Sequence, residues 1–429
     1  MSMTWEGEMR SVTAREHYAR EVAYAGILLC MVGMVTSPAL LSIGTVTLIL
    51  PALVAVPLGE QWRRFWGHKP AFFLSLIFLV QIASGLWTRE AEFSVWLEQV
   101  RIKAPLFFGM YSLAVLGPYA RDRVRIALIL LLLAVTFVGT GTMVDYFLNR
   151  AAINQRIQVS KEVQVWLGMN HIYFSIVSGF SVLAGVWLAQ FKTPLRWRGE
   201  RGVIIGLTLV VFVTMHVLTT RTGLVGLYLT GGLLGFVYVL RQKKYLLGAL
   251  AFVVLVSVPF VGYEAIPSFR YRIDNTWMDV SRYFRGKDPN YLSIGTRLES
   301  WKTAVNLFKR HPLIGVGMAD IKADMTDQYV ADETLLCPEN FVLPHNQFLR
   351  LMAGFGLLGL LPFTYAWFMT PLQRRIPKGW LFWAFWLTYS LAMLGESTVE
   401  RQVGIMFLIT LLWLSLSEGA ALTAAKRPD

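Results

Sequence analysis

Apolar residues in this chain gather into long runs separated by short clusters of charge, near 22–36, 39–58, 70–87, 104–118, 124–147, 171–191, 203–219, 222–240, 245–265, 346–370, 379–394 and 403–418. Wound as helices, runs of this length cross the roughly 30 Å hydrocarbon core of a bilayer. The pattern predicts an all-α integral membrane protein of about twelve transmembrane helices. Between the ninth and tenth runs it breaks into one long polar stretch from Ile266 to His345. The chain thus divides into a helical block over 1–265, a loop over 266–345 and a second block over 346–429. No internal repeat or low-complexity linker separates them, so they read as one functional unit.

The long loop has structure of its own. Thr296 and Glu299 have the spacing of a capping box, and Leu298, Trp301, Val305 and Phe308 follow on one face. This predicts a helix from Arg297 to Arg310, ended by Pro312. Upstream, Arg270, Arg272, Arg282, Arg285 and Lys287 interleave with Phe269, Tyr271, Trp277, Tyr283, Phe284 and Tyr291. Such a mixture suits a segment at the headgroup level, either as an interfacial anchor or as a binder of phosphorylated lipid headgroups.

Composition sharpens the class. Hydrophobic residues make up 55% of 429 positions and charged ones 16%, which sets aside a soluble protein. The net charge of +13 would suggest nucleic acid in a soluble chain. In a membrane protein it sets orientation instead, and no nucleic-acid partner is expected. With the N-terminus in the cytoplasm, Lys and Arg concentrate on the inside at 10–20, 63–69, 121–125, 192–201, 241–244, 374–378 and 426–427. Arg89, Arg101, Lys103, Arg150, Arg156, Lys161, Arg221 and Arg401 are the fewer charges of the short outer loops. Both termini are therefore expected inside and the long loop outside. The first apolar run follows mixed charge and precedes no small-residue cleavage pattern, so it reads as a span rather than a cleaved signal. Cys30 and Cys337 alone make no disulfide framework. The histidines lack paired metal-ligand spacing, and no metal or other cofactor is expected.

Several polar residues can carry chemistry. Arg221, in Thr219-Thr220-Arg221-Thr222-Gly223, stands between two apolar runs, where it either reaches the headgroups or faces an anion in a cavity. Gly231 and Gly235, in the span that follows, form a small-xxx-small pair for close helix packing. Arg297 falls in the first turn of the expected loop helix, where free N–H groups already favour an anion; a salt bridge to Glu299, Asp320 or another loop carboxylate is the alternative. His345 and Asn346 stand where the loop re-enters the membrane, and histidine is the usual general base at neutral pH. His311 precedes a helix-ending proline and reads as a helix C-terminal partner. Glu396, Glu400 and Arg401 form a charged turn, in which one carboxylate can orient the histidine or bind sugar hydroxyls. Gly315-Val316-Gly317 lacks the rest of a nucleotide fingerprint.

The order Gly295-Thr296-Arg297, Trp301, Ala304, His311-Pro312-Leu313-Ile314-Gly315-Val316-Gly317, Pro344-His345-Asn346-Gln347-Phe348-Leu349 and Gly354-Phe355-Gly356-Leu357-Leu358-Gly359 resembles the O-antigen ligase and polymerase superfamily. Thr219 to Gly223 is similar to that family's upstream arginine motif. The resemblance implies a C-type glycosyltransferase-like membrane enzyme, independent of metal, at the periplasmic side of the bacterial inner membrane. It implies a glycan donor carried on undecaprenyl pyrophosphate and, in the ligase branch, a lipid A–core acceptor among membrane lipids. His345 would then deprotonate the acceptor, Arg221 and Arg297 would hold pyrophosphate, and Glu396 is the positional match for an acidic residue, with Glu400 close by. One base opposite a leaving pyrophosphate implies inversion. A polymerase and a protein oligosaccharyltransferase are alternatives within the superfamily. The chain ends soon after its twelfth run, without the C-terminal extension expected of the protein-modifying branch. A lipid-linked glycan flippase is the alternative of another class, with its site expected at the membrane midplane.

Overall fold

A computed structural model of the chain describes residues 13–158, 163–190, 198–219, 221–290, 293–373 and 378–424. Of the positions invoked above, Arg10, Lys161, Lys192, Arg196, Thr220, Tyr291, Arg374, Arg375, Lys426 and Arg427 lie outside these. In chain order the helices are α1 (Ala14–Thr36), α2 (Pro38–Ile49), α3 (Ala52–Ala55), α4 (Leu58–Gly67), α5 (Lys69–Ala83), α6 (Phe93–Leu116), α7 (Arg121–Leu148), α8 (Arg150–Gln158) and α9 (His171–Ala189). They continue with α10 (Glu200–Leu218), α11 (Arg221–Gln242), α12 (Tyr245–Ala265), α13 (Pro267–Phe284), α14 (Ser293–Arg310), α15 (Ile321–Ala331), α16 (Gln347–Leu372), α17 (Trp380–Gly395) and α18 (Gln402–Ala424). No strand occurs among the described residues.

Among the described residues, 10 helices are long and apolar enough to cross a membrane. The chain is an all-α, multi-pass integral membrane protein. The two other expected spans are α17, only 16 residues long, and α6, whose first half carries Arg101 and Lys103. Lys103 is thus no outer-loop charge: it lies inside α6 and is fully buried. Helices α9 and α18 form the buried centre, whereas α12 stands at the rim against α11 and α13.

Small residues let these helices approach, but not where the glycine spacing pointed. A Cβ added at Gly235 would meet nothing and one at Gly231 only Leu183 at 3.6 Å, whereas one at Gly223 would lie 2.4 Å from the Ser175 carbonyl oxygen. The close contact of α11 with α9 is therefore made one residue beyond Thr222, at the end of α11 that holds Arg221.

Helix α16 is broken at Gly356 (φ 57, ψ −150). A break inside a span frees backbone groups that lipid cannot satisfy. Residues 312–317 satisfy them. Leu357 N donates to Pro312 O at 2.9 Å and Leu358 N to Leu313 O at 3.0 Å, while Gly317 N donates to Gly354 O at 2.8 Å. Gly315 adopts φ +64 where its missing Cβ would sit 2.5 Å from the Gly354 carbonyl. Gly315 and Gly356 are there for this backbone contact, which fixes the first half of α16 against the long loop.

Within that loop, α14 begins earlier than the capping box implied. Helix α14 already runs at Ser293, so Thr296 is an interior residue and Arg297 lies a turn beyond the start. The cap comes from a distance: buried Asp279 of α13 accepts from Ile294 N at 2.6 Å and Gly295 N at 3.1 Å. A carboxylate that takes two orphan N–H groups and complements the helix dipole outweighs a threonine hydroxyl. Glu299 does not reach back to the helix start but accepts from the Tyr283 hydroxyl at 3.0 Å.

Candidate active site

Of the polar residues marked by the sequence, Arg221, Arg297, His345, Asn346 and Glu396 gather where several helices end. Asn346 begins α16: its Oδ1 accepts from Phe348 N at 3.0 Å and Leu349 N at 3.1 Å, an N-cap. Its amide donates to Leu394 O of α17 at 3.2 Å. Ser397 Oγ donates to Pro344 O at 2.8 Å. These bonds lash the segment before α16 to the turn after α17, and they bring His345 to Glu396.

Glu396 is buried, 8% exposed, and its Oε2 lies 3.1 Å from His345 Nδ1. Burial alone would push this carboxyl up. The bond to His345, the bond from Ser397 N at 3.1 Å and the Arg297 charge outweigh it and hold Glu396 below its ordinary value. A carboxylate beside Nδ1 accepts that nitrogen's proton, so neutral His345 carries its lone pair on Nε2. The imidazole side chain is 35% exposed, open enough to meet a substrate.

The arginines approach from the other side. Thr219 ends α10 in the left-handed region (φ 54), turning the chain so that Arg221 opens α11. Arg221, Thr222 and Arg297 line one cleft together with His171, Ile172, Thr219, Arg272 and Ser293. The structure therefore brings Arg221 and Arg297 together across α11 and α14. Arg297 also donates from Nη1 to Gly395 O at 3.2 Å, next to Glu396. Thr222 abuts Gly395 from the cleft side, 3.7 Å from where a Cβ would stand. Gly395 is thus a wall shared by the cationic cleft and the His345–Glu396 pair.

Neither carboxylate offered as an alternative partner for Arg297 takes it. Glu299 binds Tyr283, and Asp320 faces Arg89. The α14 N-terminus is occupied by Asp279, so the anion-binding capacity of this corner rests on guanidinium groups rather than on free N–H groups.

Other sequence candidates lie apart. Glu400 turns away from His345 and pairs with Lys103 at 2.6 Å. Arg401 is exposed on the same turn, and exposed His311 lines a different cleft with Trp87, Arg89, Asp320 and Asp324. Arg272 and His171 also line the cationic cleft. In the sequence Arg272 is one of several basic loop residues and His171 one of several histidines without metal spacing, so only the tertiary arrangement sets them apart. Among the described residues no group of three His, Cys, Asp or Glu side chains is placed to hold a metal ion.

Residues 204–364 match the model of the O-antigen ligase family. The chain carries an O-antigen ligase family domain. The match runs from α10 into α16 and includes Arg221, Arg297 and His345, while Glu396, Glu400 and Lys103 fall outside it. None of the curated proteins compared matches the chain. The O-antigen ligase domain supports function of the O-antigen ligase or polymerase type, in a glycosyltransferase-like membrane enzyme that acts on lipid-linked glycans.

Proposed function

We propose that the protein is an O-antigen ligase that moves a glycan from undecaprenyl pyrophosphate to the lipid A–core oligosaccharide, at the periplasmic face of the bacterial inner membrane. The observation that carries this reading is the shared wall at Gly395, with paired arginines on one side and His345–Glu396 on the other. His345 Nε2 takes the proton of the acceptor hydroxyl. That oxygen bonds to the anomeric carbon as the bond from carbon to the phosphate oxygen breaks. The electron pair leaves with pyrophosphate, whose growing charge Arg221 and Arg297 stabilise. Guanidinium forks match phosphate oxygens bidentately and stay charged, so they do the work that a divalent cation does in many transferases. Glu396 holds the imidazole in its tautomer and stabilises the imidazolium that forms. Base and leaving group on opposite faces of the sugar make the reaction a single displacement with inversion.

A site built at helix ends, rather than at mid-span, supports transfer over transport. The test is purified protein with a synthetic undecaprenyl-pyrophosphate-linked donor and lipid A–core acceptor, with and without chelator. Chelator-resistant product of inverted anomeric configuration is expected; retention would overturn the single displacement. A deletion strain separates ligase from polymerase. Polymer accumulating on the carrier lipid supports ligase, and single repeat units attached to core would support polymerase.

A further inference from the structure

Lys103 is fully buried in α6, far along the chain from every residue of the match. A buried ammonium in a membrane helix is costly, and it persists where a partner and a task hold it. Its Nζ donates to Glu400 Oε2 at 2.6 Å and to Gln99 Oε1 at 2.8 Å. Glu400 Oε1 in turn accepts from Gln347 Nε2 at 3.5 Å, and Gln347 Oε1 accepts from Val399 N at 2.8 Å. Arg350, one turn into α16 and 7% exposed, lies close enough for its charge to act on Glu400 and Glu396. On the far flank, the Tyr173 hydroxyl of α9 donates to Ser397 O at 3.2 Å. The turn from Glu396 to Glu400 is thereby pinned from α6, α9 and α16, and Gln347 lies two residues from His345.

We propose that Lys103 is a positioning residue for the His345–Glu396 pair, acting through Glu400. The ion pair holds the turn at its Glu400 end, so that at the other end Glu396 meets Nδ1 rather than swinging off the imidazole. Lys103 touches neither substrate nor His345; its effect is on where the Glu396 carboxylate stands. This rests on the transfer reaction proposed above.

The test uses full-length protein in the donor–acceptor assay. In Lys103→Met, kcat should fall about 10–100-fold, the scale of a small misplacement of a catalytic group, with KM for the lipid-linked donor little changed. The double variant Lys103→Met/Glu400→Gln removes both buried charges, which restores thermal stability where a lone Glu400 had lowered it. Its kcat should stay low, because the tether is still gone. Recovery of kcat together with stability would overturn the proposal by making the pair merely structural, as would wild-type kcat in Lys103→Met. If Lys103→Met fails to fold, the neutral double variant alone decides. A wild-type protein inert in the assay would remove the transfer reading and this proposal with it. An active wild type whose kcat ignores Lys103 removes this proposal alone.

Discussion

Glu396 meets His345 at Nδ1, 3.1 Å away, and not at Nε2. The choice of nitrogen matters, because it points the other nitrogen's lone pair away from the turn. In the transfer reaction proposed above, it would give the two residues separate tasks, one taking a proton and the other holding the imidazole that takes it.

His345→Ala should therefore lower transfer by about 10²–10⁴-fold, the usual weight of a general base, and leave binding of undecaprenyl pyrophosphate nearly intact. Glu396→Gln should lower kcat as well, since an amide no longer stabilises the imidazolium. Glu396 titrates below its ordinary range in the folded protein. Its contacts thus contribute stability above that range, and the contribution is lost as pH falls through the lowered value. Thermal unfolding in detergent should show wild type more stable than Glu396→Gln at neutral pH, with the gap shrinking on acidification. A gap that widens toward acid would contradict the assignment.

Arg221→Lys keeps the charge and loses the fork. Turnover should drop at least about 10-fold, because a point charge cannot follow two phosphate oxygens at once. Steady-state kinetics with the lipid-linked donor check this, and wild-type turnover would refute bidentate binding.

Asp279→Ala strips the cap from α14 and should cost about 1–2 kcal/mol, as losses of strong N-caps do. Since Arg297 rides one turn behind that cap, donor KM should rise along with the loss of stability. Unfolding midpoints and donor KM are the two measurements, and Asp279→Asn, which keeps an acceptor, should be milder in both.

Gly315→Ala forces a side chain into the left-handed region at a cost of about 1–2 kcal/mol. It also drives a methyl group into the Gly354 carbonyl. The loop over 312–317 should lift off the break in α16, seen as faster amide exchange at Leu357 and Leu358 together with reduced transfer.

How much of this was legible beforehand differs by level. The capping box at Thr296 and Glu299 is a sound local signal that lost to Asp279, 15 and 16 residues upstream of the N–H groups it caps. Local spacing cannot anticipate a carboxylate delivered by another helix. Likewise Glu396 and Glu400 stand four apart on one turn and look equivalent in the sequence. They part because α6 presents an ammonium to one and the start of α16 presents an imidazole to the other.

The sequence by itself determined that this protein is helical and crosses a membrane many times, because a bilayer accepts only long apolar segments whose backbone bonds are satisfied within the helix. It also determined which arginines and which histidine to watch, since polar groups at membrane boundaries stand out against apolar runs. Which of them touch was decided by the tertiary structure alone. Arg221, Arg297, His345 and Glu396 come from four helix ends, and only the packing of α11, α14, α16 and α17 around Gly395 brings them together. Contacts between groups so distant in the chain depend on how whole helices pack, and that leaves no periodic trace in any one of them.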